Sequence, residues 1–335
     1  MLKKVVATFR AQEWWSYKLP PILGIAYATS WMADSSLVDH LETYGVLLLA
    51  TVVSAIYVSS INDLCDIKID LAAGKKNRLA GWKPWQRALW MVVILILGGL
   101  IGLFLLPRGW TVVFYLLIWL VFTLYSVPPF RFKERPLLGI MCDGLGAHGF
   151  ASLFMVAGIS AVSRLEVWNG WWWGVLLWSF CVGLRGILWH QFLDRPNDIL
   201  TNTTTFAVRV EPSAFLPTER LLFLIELVGL GLMISYFNSF WTWIMLVLYI
   251  LLVAIRYWMY EQKPILIINH HRGSNQVLMI DYYQLFFPWT MLLLACMQYE
   301  GSWIVALLHL LLFPTKILAI LKDGKHLIKK LTKAQ

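Results

Sequence analysis

Long apolar segments constrain this chain more than any other feature of its sequence. Windows of about 20 residues with few or no charged side chains recur along the chain, and a helix of about that length crosses a bilayer core. Only 14% of the residues are charged, against roughly 25% in soluble proteins. The sequence therefore predicts an all-α, polytopic transmembrane helical bundle. We interpret residues 1–335 as one domain whose basic tail, 322–335, lies on the membrane surface.

Ten apolar segments are candidate membrane spans, and turns rich in Pro, Gly and polar residues separate them. Either of the last two could instead be a re-entrant or interfacial segment. In the loop 261–280, the Asn-His-His-Arg run at 269–272 fits a cap or a plain loop better than a zinc site. The predicted spans cover residues 19–34, 44–62, 88–106, 110–126, 137–162, 168–190, 221–237, 239–255, 281–298 and 302–315.

The basic residues are distributed very unequally between the two sides of the predicted membrane. With ten spans, all 28 lysines and arginines except Arg108 and Arg164 fall on the side of the N-terminus. Cytoplasmic loops are rich in Lys and Arg, so we expect the N-terminus and the exits of the even-numbered spans in the cytoplasm. The net charge of +9 then reflects topology and contact with membrane lipids, and no nucleic-acid partner is expected.

An acidic segment, residues 62–70 with the sequence NDLCDIKID, follows the second predicted span. If the helix continues through it, Asp63, Asp66 and Asp70 are spaced i, i+3, i+7 and share one face, with Asn62 beside Asp66. Carboxylate oxygens suit Mg²⁺, which keeps several waters and is completed by substrate phosphates. A solvated helix end is the alternative interpretation of the same residues.

A second acidic segment leaves the sixth predicted span on the same face. Asp194 and Asp198 are one helical turn apart and His190 lies one turn earlier, although Pro196 could break the helix there. Carboxylates near membrane level are costly unless they are paired or metal-bound, so two such clusters favour one shared site. We predict that the metal ligands are Asn62, Asp63, Asp66, Asp194 and Asp198.

Lysines and arginines on the same predicted face would allow this acidic site to accept an anionic substrate. Arg131 and Lys133 follow the fourth span, and Lys68 and Arg78 lie in or just after the first acidic segment. Acidic metal ligands beside Lys and Arg are typical of a diphosphate site. Taken singly, each basic residue is also explained as an ordinary charge of an inside loop.

Three segments together resemble the signature of the UbiA-type intramembrane prenyltransferase superfamily. They are Asn62-Asp63-x-x-Asp66-x-x-x-Asp70, Tyr125-Ser126-x-Pro128-Pro129-x-Arg131-x-Lys133 and Asp194-x-x-x-Asp198. The resemblance implies nine transmembrane helices around a central cavity, here with an extra C-terminal span, and Mg²⁺ that joins both acidic motifs to a polyprenyl diphosphate donor. It also implies that an acceptor is prenylated after the allylic carbon–oxygen bond ionises.

The residues themselves are compatible with that chemistry. Metal ions with Lys or Arg neutralise a leaving diphosphate, and an apolar bundle shields an allylic cation from water. A carboxylate, Asp70 or Asp198, could take the proton that the acceptor loses. The predicted catalytic residues are Asp63, Asp66, Asp70, Asp194 and Asp198, and the predicted substrate-binding residues are Asn62, Lys68, Arg78, Tyr125, Arg131, Lys133, His190 and Arg195.

The second motif departs from the pattern of family members that act on aromatic acids. Their Tyr and Lys are replaced here by His190 and by the Lys-free run 200–205, so diphosphate contacts are expected from Arg195, Arg209 or the loop after span four. That loop is closer to members with larger or lipidic acceptors, and the acceptor stays open between an aromatic and a lipidic molecule. A terpene cyclase on the same bundle and a non-enzymatic lipid transporter are the alternatives.

Overall fold

The computed structural model describes residues 8–163, 165–166, 168–200, 203–237, 239–268 and 274–333, and most of them are helical. This confirms the predicted all-α membrane bundle. The run at 269–272 lies outside the described residues. The helices are α1 Ala11–Met32, α2 Leu41–Ala72, α3 Pro84–Leu105, α4 Trp110–Ser126, α5 Pro136–Gly144, α6 Phe150–Ser160, α7 Gly170–Leu200, α8 Phe206–Arg209, α9 Pro212–Ser235, α10 Phe240–Tyr260, α11 Phe287–Gln298, α12 Ser302–Leu312 and α13 Thr315–Lys333.

Short irregular elements complete the chain. A π-helical turn, Leu145–Gly149, joins α5 to α6, and a second one, Tyr282–Phe286, leads into α11. Two strands, β1 Lys263–Ile265 and β2 Ser274–Gln276, pair in parallel with Pro264 opposite Asn275. The 3₁₀ turns are Leu37–His40, Leu106–Arg108 and Phe132–Glu134.

In the part of the chain that the structure describes, five helical stretches are long and apolar enough to cross a membrane by themselves. The first helix, α1, is less apolar than these, yet every residue from Leu19 to Ser30 is buried. Its low hydropathy is therefore tolerated because α1 lies inside the bundle, where α6 and α11 pack on it and shield it from lipid. The five stretches are Leu37–Ala72, Pro84–Arg108, Pro136–Ser160, Gly170–Leu200 and Phe240–Tyr260.

The predicted tenth span, 302–315, differs from the structure. Helix α12 has 11 residues and is about 16 Å long, which is shorter than the roughly 30 Å of a bilayer core. After Phe313 and Pro314, the chain bends by 75° into α13. The extra C-terminal element is therefore a bent pair of helices, in which Pro314 separates a short apolar helix from an amphipathic one.

A buried ion pair ties the middle of α7 to α9. Arg185 Nη1 lies 2.6 Å from Glu226 Oε1, and both side chains are 0% exposed. Tyr283 donates a hydrogen bond of 2.7 Å to the same oxygen, and Arg185 also donates to the backbone carbonyls of Leu266 and Val277. The charge distribution in the sequence suggests that Arg185 belongs to a membrane-surface loop, but the structure places it inside the bundle.

Candidate active site

Helix α2 continues through the first acidic segment without a break and ends at Ala72. Gly74 follows in the left-handed conformation, with φ of +66°, and the Lys75 N–H donates to the Asp70 carbonyl at 2.8 Å. Glycine is favoured at this position after a helix because it lacks a Cβ atom. The expected helical arrangement of residues 62–70 is therefore present, and it places their side chains on neighbouring faces of one helix.

Asp63 and Asp70 lie on one of these faces. The Asn77 amide donates to the Asp63 carbonyl at 2.7 Å and to Asp70 Oδ2 at 2.8 Å, which folds the chain after α2 back onto the helix. Arg10, just before α1, contacts Asp63 Oδ1 at 3.2 Å. Asp63 is 3% exposed, and no hydrogen bond of ordinary geometry from the described residues reaches its Oδ2 atom, although the backbone N–H of Arg78 interacts with the carboxylate group.

Asn62 and Asp66 lie on the next face and point towards the loop after α4. Lys133 donates to Asn62 Oδ1 at 3.0 Å and forms an ion pair with Asp66 Oδ2. Arg131 Nη2 contacts the other carboxylate oxygen of Asp66 at 3.2 Å. Both oxygens of Asp66 are thus paired with cations, and the first acidic segment is joined to the segment at 125–133.

The turn before α5 holds Arg131 in a left-handed backbone conformation, with φ of +35°. Such a conformation costs a non-glycine residue roughly 1–3 kcal/mol, and the ion pairs of its side chain with Asp66 and Glu134 offset part of that cost. Burial alone would lower the pKa of the Arg131 guanidinium, but the hydrogen bond and charge of Glu134, together with Asp66, outweigh burial and raise the pKa. Arg131 therefore keeps its charge throughout the working pH range.

The other two predicted cations near the first motif are less directly placed. Arg78 lies 2.7 Å from Glu13, which also pairs with Arg10, and the charge of Arg78 also acts on Asp63. Lys68 is exposed on the outer side of α2. Glu13, in the first turn of α1, therefore holds two arginines beside Asp63, and the sequence-based site did not include it.

The second acidic segment continues as helix through Pro196 to Leu200, so the proline does not end α7. Asp194 is exposed, whereas Asp198 is buried and accepts a hydrogen bond of 3.0 Å from Thr205. Lys75, which follows the first motif, lies close enough to Asp198 for their charges to interact. Arg195 turns away from both motifs, donating to the Ala207 carbonyl at 2.8 Å and pairing with Glu211 at 3.1 Å.

Five ionisable side chains interact electrostatically with one another or with the two motifs, and we call them the inner polar cluster. Tyr125 lies close enough to Asp66 and Asp143 to interact with their charges. His190 interacts in the same way with Lys18, Asp143 and Asp194. Lys18 acts in addition on His148, which lies in the π-helical turn. The sequence signal for these positions is an ionisable residue inside an apolar span. The cluster comprises Lys18, Tyr125, Asp143, His148 and His190.

The described part of the chain contains no group of three or more His, Cys, Asp or Glu side chains that could hold a metal ion by itself. Two features nevertheless fit a divalent cation: the buried Asp63 Oδ2 atom without a hydrogen bond, and the oxygen donors Asn62 and Asp66 on the adjacent face. Hard oxygen donors of this kind suit Mg²⁺ when phosphate oxygens complete its coordination.

A separate apolar cavity of about 490 Å³ lies between α9 and α10, towards the ends of these helices that are remote from the acidic segments. It contains none of the predicted site residues. Its lining consists of Leu227, Leu230, Gly231, Ile234, Ser235, Phe237 and Trp243.

Comparisons with known proteins identify the family and the fold of this chain. The family model described as the UbiA prenyltransferase family matches residues 19–265, which is most of the chain. A lycopene elongase/hydratase of Halobacterium salinarum is 28% identical over 175 residues, 50% of this chain and 60% of the relative. One of Haloferax volcanii is 30% identical over 186 residues, 52% of this chain and 58% of the relative. The chain thus spans about 60% of the length of these curated relatives.

A solved structure shows the same fold. A UbiA homologue from Archaeoglobus fulgidus, bound to GPP and Mg²⁺, matches with a TM-score of 0.54 and 15% sequence identity. The match covers 88% of this chain and 98% of that one. At this identity the likeness concerns the path of the helices.

Proposed function

Because the chain belongs to the UbiA prenyltransferase family, we propose that it transfers a prenyl group from a prenyl diphosphate to a lipidic acceptor. The observation that supports this most directly is the convergence of Asn62 and Asp66 on Lys133 and Arg131. Carboxylate and amide oxygens beside two permanent cations suit a magnesium diphosphate, since the cations bind phosphate oxygens and the acidic groups bind the metal.

Lys133 and Arg131 are the groups proposed to hold the leaving diphosphate. Without substrate both cations are paired with Asp66. A diphosphate would replace Asp66 as their anionic partner, so neither buried cation is left unpaired. When the allylic carbon–oxygen bond breaks, its electron pair goes to the diphosphate oxygen. Donors that already point at that oxygen stabilise the growing charge without further reorganisation.

The metal-binding residues proposed from this geometry are Asn62, Asp63 and Asp66 of the first motif, with Asp194 and Asp198 of the second. A bound Mg²⁺ supplies charge neutralisation on the diphosphate. Asp63 is also held by Arg10, which in turn pairs with Glu13. The arginine keeps the carboxylate oriented while its second oxygen is without a hydrogen bond.

The proposed acceptor is a lipidic isoprenoid, and the chemical support for it is that the two halophilic relatives are lycopene elongase/hydratases. The allylic cation forms a carbon–carbon bond with the π electrons of an acceptor double bond, and the resulting cation loses a proton. Asp70 hydrogen-bonds to Asn77 and Asp198 to Thr205. Asp143 and His190 belong instead to the inner polar cluster, and His190 lies about two helical turns before Asp198 on α7, towards the middle of that helix. That position favours Asp143 or His190 as the proton acceptor.

The experiment is an assay of the purified chain in lipid nanodiscs with geranyl and longer prenyl diphosphates. We expect Mg²⁺-dependent release of diphosphate that requires an acceptor, and mass spectrometry of the extracted lipid should show an added prenyl unit. The acceptor panel should contain a carotenoid polyene, an aromatic acid and a glycerophospholipid precursor. A cyclised hydrocarbon formed from the donor alone would instead establish a terpene cyclase. No turnover with any donor would favour a lipid transporter.

A further inference from the structure

The C-terminal helix α13 packs against the bundle with its polar face, which is the reverse of the usual orientation of an amphipathic helix on a protein. Arg256, near the end of α10, contacts Asp323 at 2.8 Å and Asp281 at 2.6 Å. Tyr260 donates to Asp323 at 3.1 Å and hydrogen-bonds with His326 at 2.9 Å. These polar contacts attach the inward face of the helix.

Two further contacts position the helix at both of its ends. Lys330 lies 4.2 Å from the centre of the Trp258 ring and donates to the backbone carbonyl of that residue. At the other end, Lys316 lies 3.6 Å from Asp281 and over the ring of Tyr17. Because α1 begins beside Arg10 and Asp63, the contact with Tyr17 places α13 at the end of the bundle where the acidic motif lies.

The outward face of α13 is apolar. Leu318, Leu321, Ile328 and Leu331 form a stripe at helical spacing, and each is more than half exposed. Helix α12 also exposes leucines, at Leu307, Leu308 and Leu311, and the 75° bend carries this apolar surface from one helix onto the other. With α12 along the membrane normal, the 75° bend directs α13 close to the membrane plane.

Lysines flank one edge of this stripe. At 100° per residue, Lys322, Lys325 and Lys329 fall within about 60° of one another beside the leucines and away from the docked face. All three are exposed, and among the residues that the structure describes no acidic side chain pairs with them. An apolar stripe bordered by unpaired cations is complementary to the headgroup region of an anionic bilayer leaflet.

We propose that α13 is an interfacial helix that embeds its apolar stripe in the bilayer and binds anionic phospholipid headgroups through Lys322, Lys325 and Lys329. The polar contacts of α13 with Arg256 and Tyr260 fix the rotation of the helix about its own axis, so that the apolar stripe faces lipid and the lysines lie at headgroup level. The outward face of α13 thus contacts the membrane leaflet at the end of the bundle where the first acidic motif lies. This inference is independent of the proposed reaction.

A fluorescent amino acid incorporated at Leu321 of the full-length chain in nanodiscs tests the depth of the helix. We expect strong quenching by brominated acyl chains and weak quenching by aqueous iodide, with the opposite pattern for the same probe at Lys76, in the loop after α2. Strong iodide quenching at position 321 would overturn the proposal. Shielding from both quenchers would also overturn it, because a second copy or another protein would then cover the face.

The charge test compares binding of phosphatidylglycerol and phosphatidylcholine by native mass spectrometry. The triple variant K322Q/K325Q/K329Q should lose preference for phosphatidylglycerol by about 10²-fold, because each lysine near an anionic surface contributes roughly fivefold. A control, K83Q/R220Q/K263Q, removes three exposed charges outside α13, one just before α3, one in α9 and one in β1, and should retain the preference. An unchanged preference in the first variant, or equal losses in both, would refute the role of these lysines.

Discussion

Replacing Lys133 by methionine should separate the catalytic role of its charge from its contribution to stability. Methionine keeps a long apolar stem but removes the ammonium that contacts Asn62 and Asp66. Arg131 remains 3.2 Å from Asp66, so the carboxylate keeps one cationic partner. The Lys133 and Asp66 side chains are 13% and 14% exposed, which is between a surface pair and a buried one. We therefore expect the free energy of unfolding to fall by about 1–2 kcal/mol.

The effect on turnover should be larger. In the proposed mechanism Lys133 stabilises charge that develops on the diphosphate oxygen only as the carbon–oxygen bond breaks. Loss of one such preorganised donor typically costs about 2.7–4 kcal/mol, or a decrease in kcat of about 10²–10³-fold. The measurement is diphosphate release at saturating donor and Mg²⁺, made beside thermal unfolding of the same nanodisc preparation.

A control on the same loop is available at Arg135, whose guanidinium lies over the Phe132 ring at 5.5 Å. The variant R135M removes a charge two residues away from Lys133 and should change kcat by less than about threefold, as expected for a cation without a role in the transition state. A K133M enzyme with kcat within threefold of the unmodified chain would refute the assignment of Lys133. Equal losses in K133M and R135M would show that net charge, and not position, is what matters.

Three other substitutions test separate parts of the structure. D63N should weaken the apparent affinity for Mg²⁺ and lower kcat by at least about 10²-fold, whereas thermal stability should change little because Arg10 keeps Glu13 as a partner. An unchanged Mg²⁺ titration would remove Asp63 from the metal site. R185M should lower the free energy of unfolding by about 3–5 kcal/mol in a detergent denaturation assay because it leaves Glu226 charged and unpaired. The double variant R185M/E226Q should recover part of this loss, and no recovery would indicate that packing dominates. G183A should lower the free energy of unfolding by about 1–3 kcal/mol because its new methyl group would meet the Gly144 carbonyl at 2.6 Å. The control G231A, whose methyl group meets nothing within 4 Å, should be nearly neutral. Similar losses in both variants would contradict the close approach of α5 and α7.

Hydrophobic patterning was sufficient to predict the helices but not their places in the bundle. Each predicted span corresponds to a helix, or to a pair of helices, because apolar length and turn residues are local properties of the chain. The central position of α1 is not a local property. Its composition is less apolar than that of α3, and it lies inside because other helices pack around it.

The arrangement of the acidic motif was only partly predictable. Residues three apart on a helix differ by 60° in direction, so Asp63 and Asp66 lie on neighbouring faces with different partners. That difference assigns Asp66 to the loop after α4, whereas Asn77 binds Asp70. Spacing alone indicates that the carboxylates are neighbours, and the surrounding elements decide what each one contacts.

Single ionisable residues were the hardest to interpret from the sequence. Lys18, Asp143 and His148 have no motif spacing. Only the packing of the helices brings Lys18 and Asp143 near His190, and Lys18 near His148. Arg195 shows the reverse case, since it lies within the second motif but binds the Ala207 carbonyl and Glu211. A basic residue near a motif can satisfy either a substrate or the backbone of its own chain, and the sequence does not distinguish the two.

The buried pair of Arg185 and Glu226 has a consequence for how the chain enters the membrane during synthesis. Arg185 lies in the middle of α7, where an arginine disfavours insertion by about 2.5–3.5 kcal/mol, and its partner is made 41 residues later. Glu226 meets the same difficulty in α9. Neither helix is well suited to leave the translocon alone, so α7 and α9 should be released into lipid together. Pairing of these two helices is thus a step of biogenesis as well as a contact of the mature bundle.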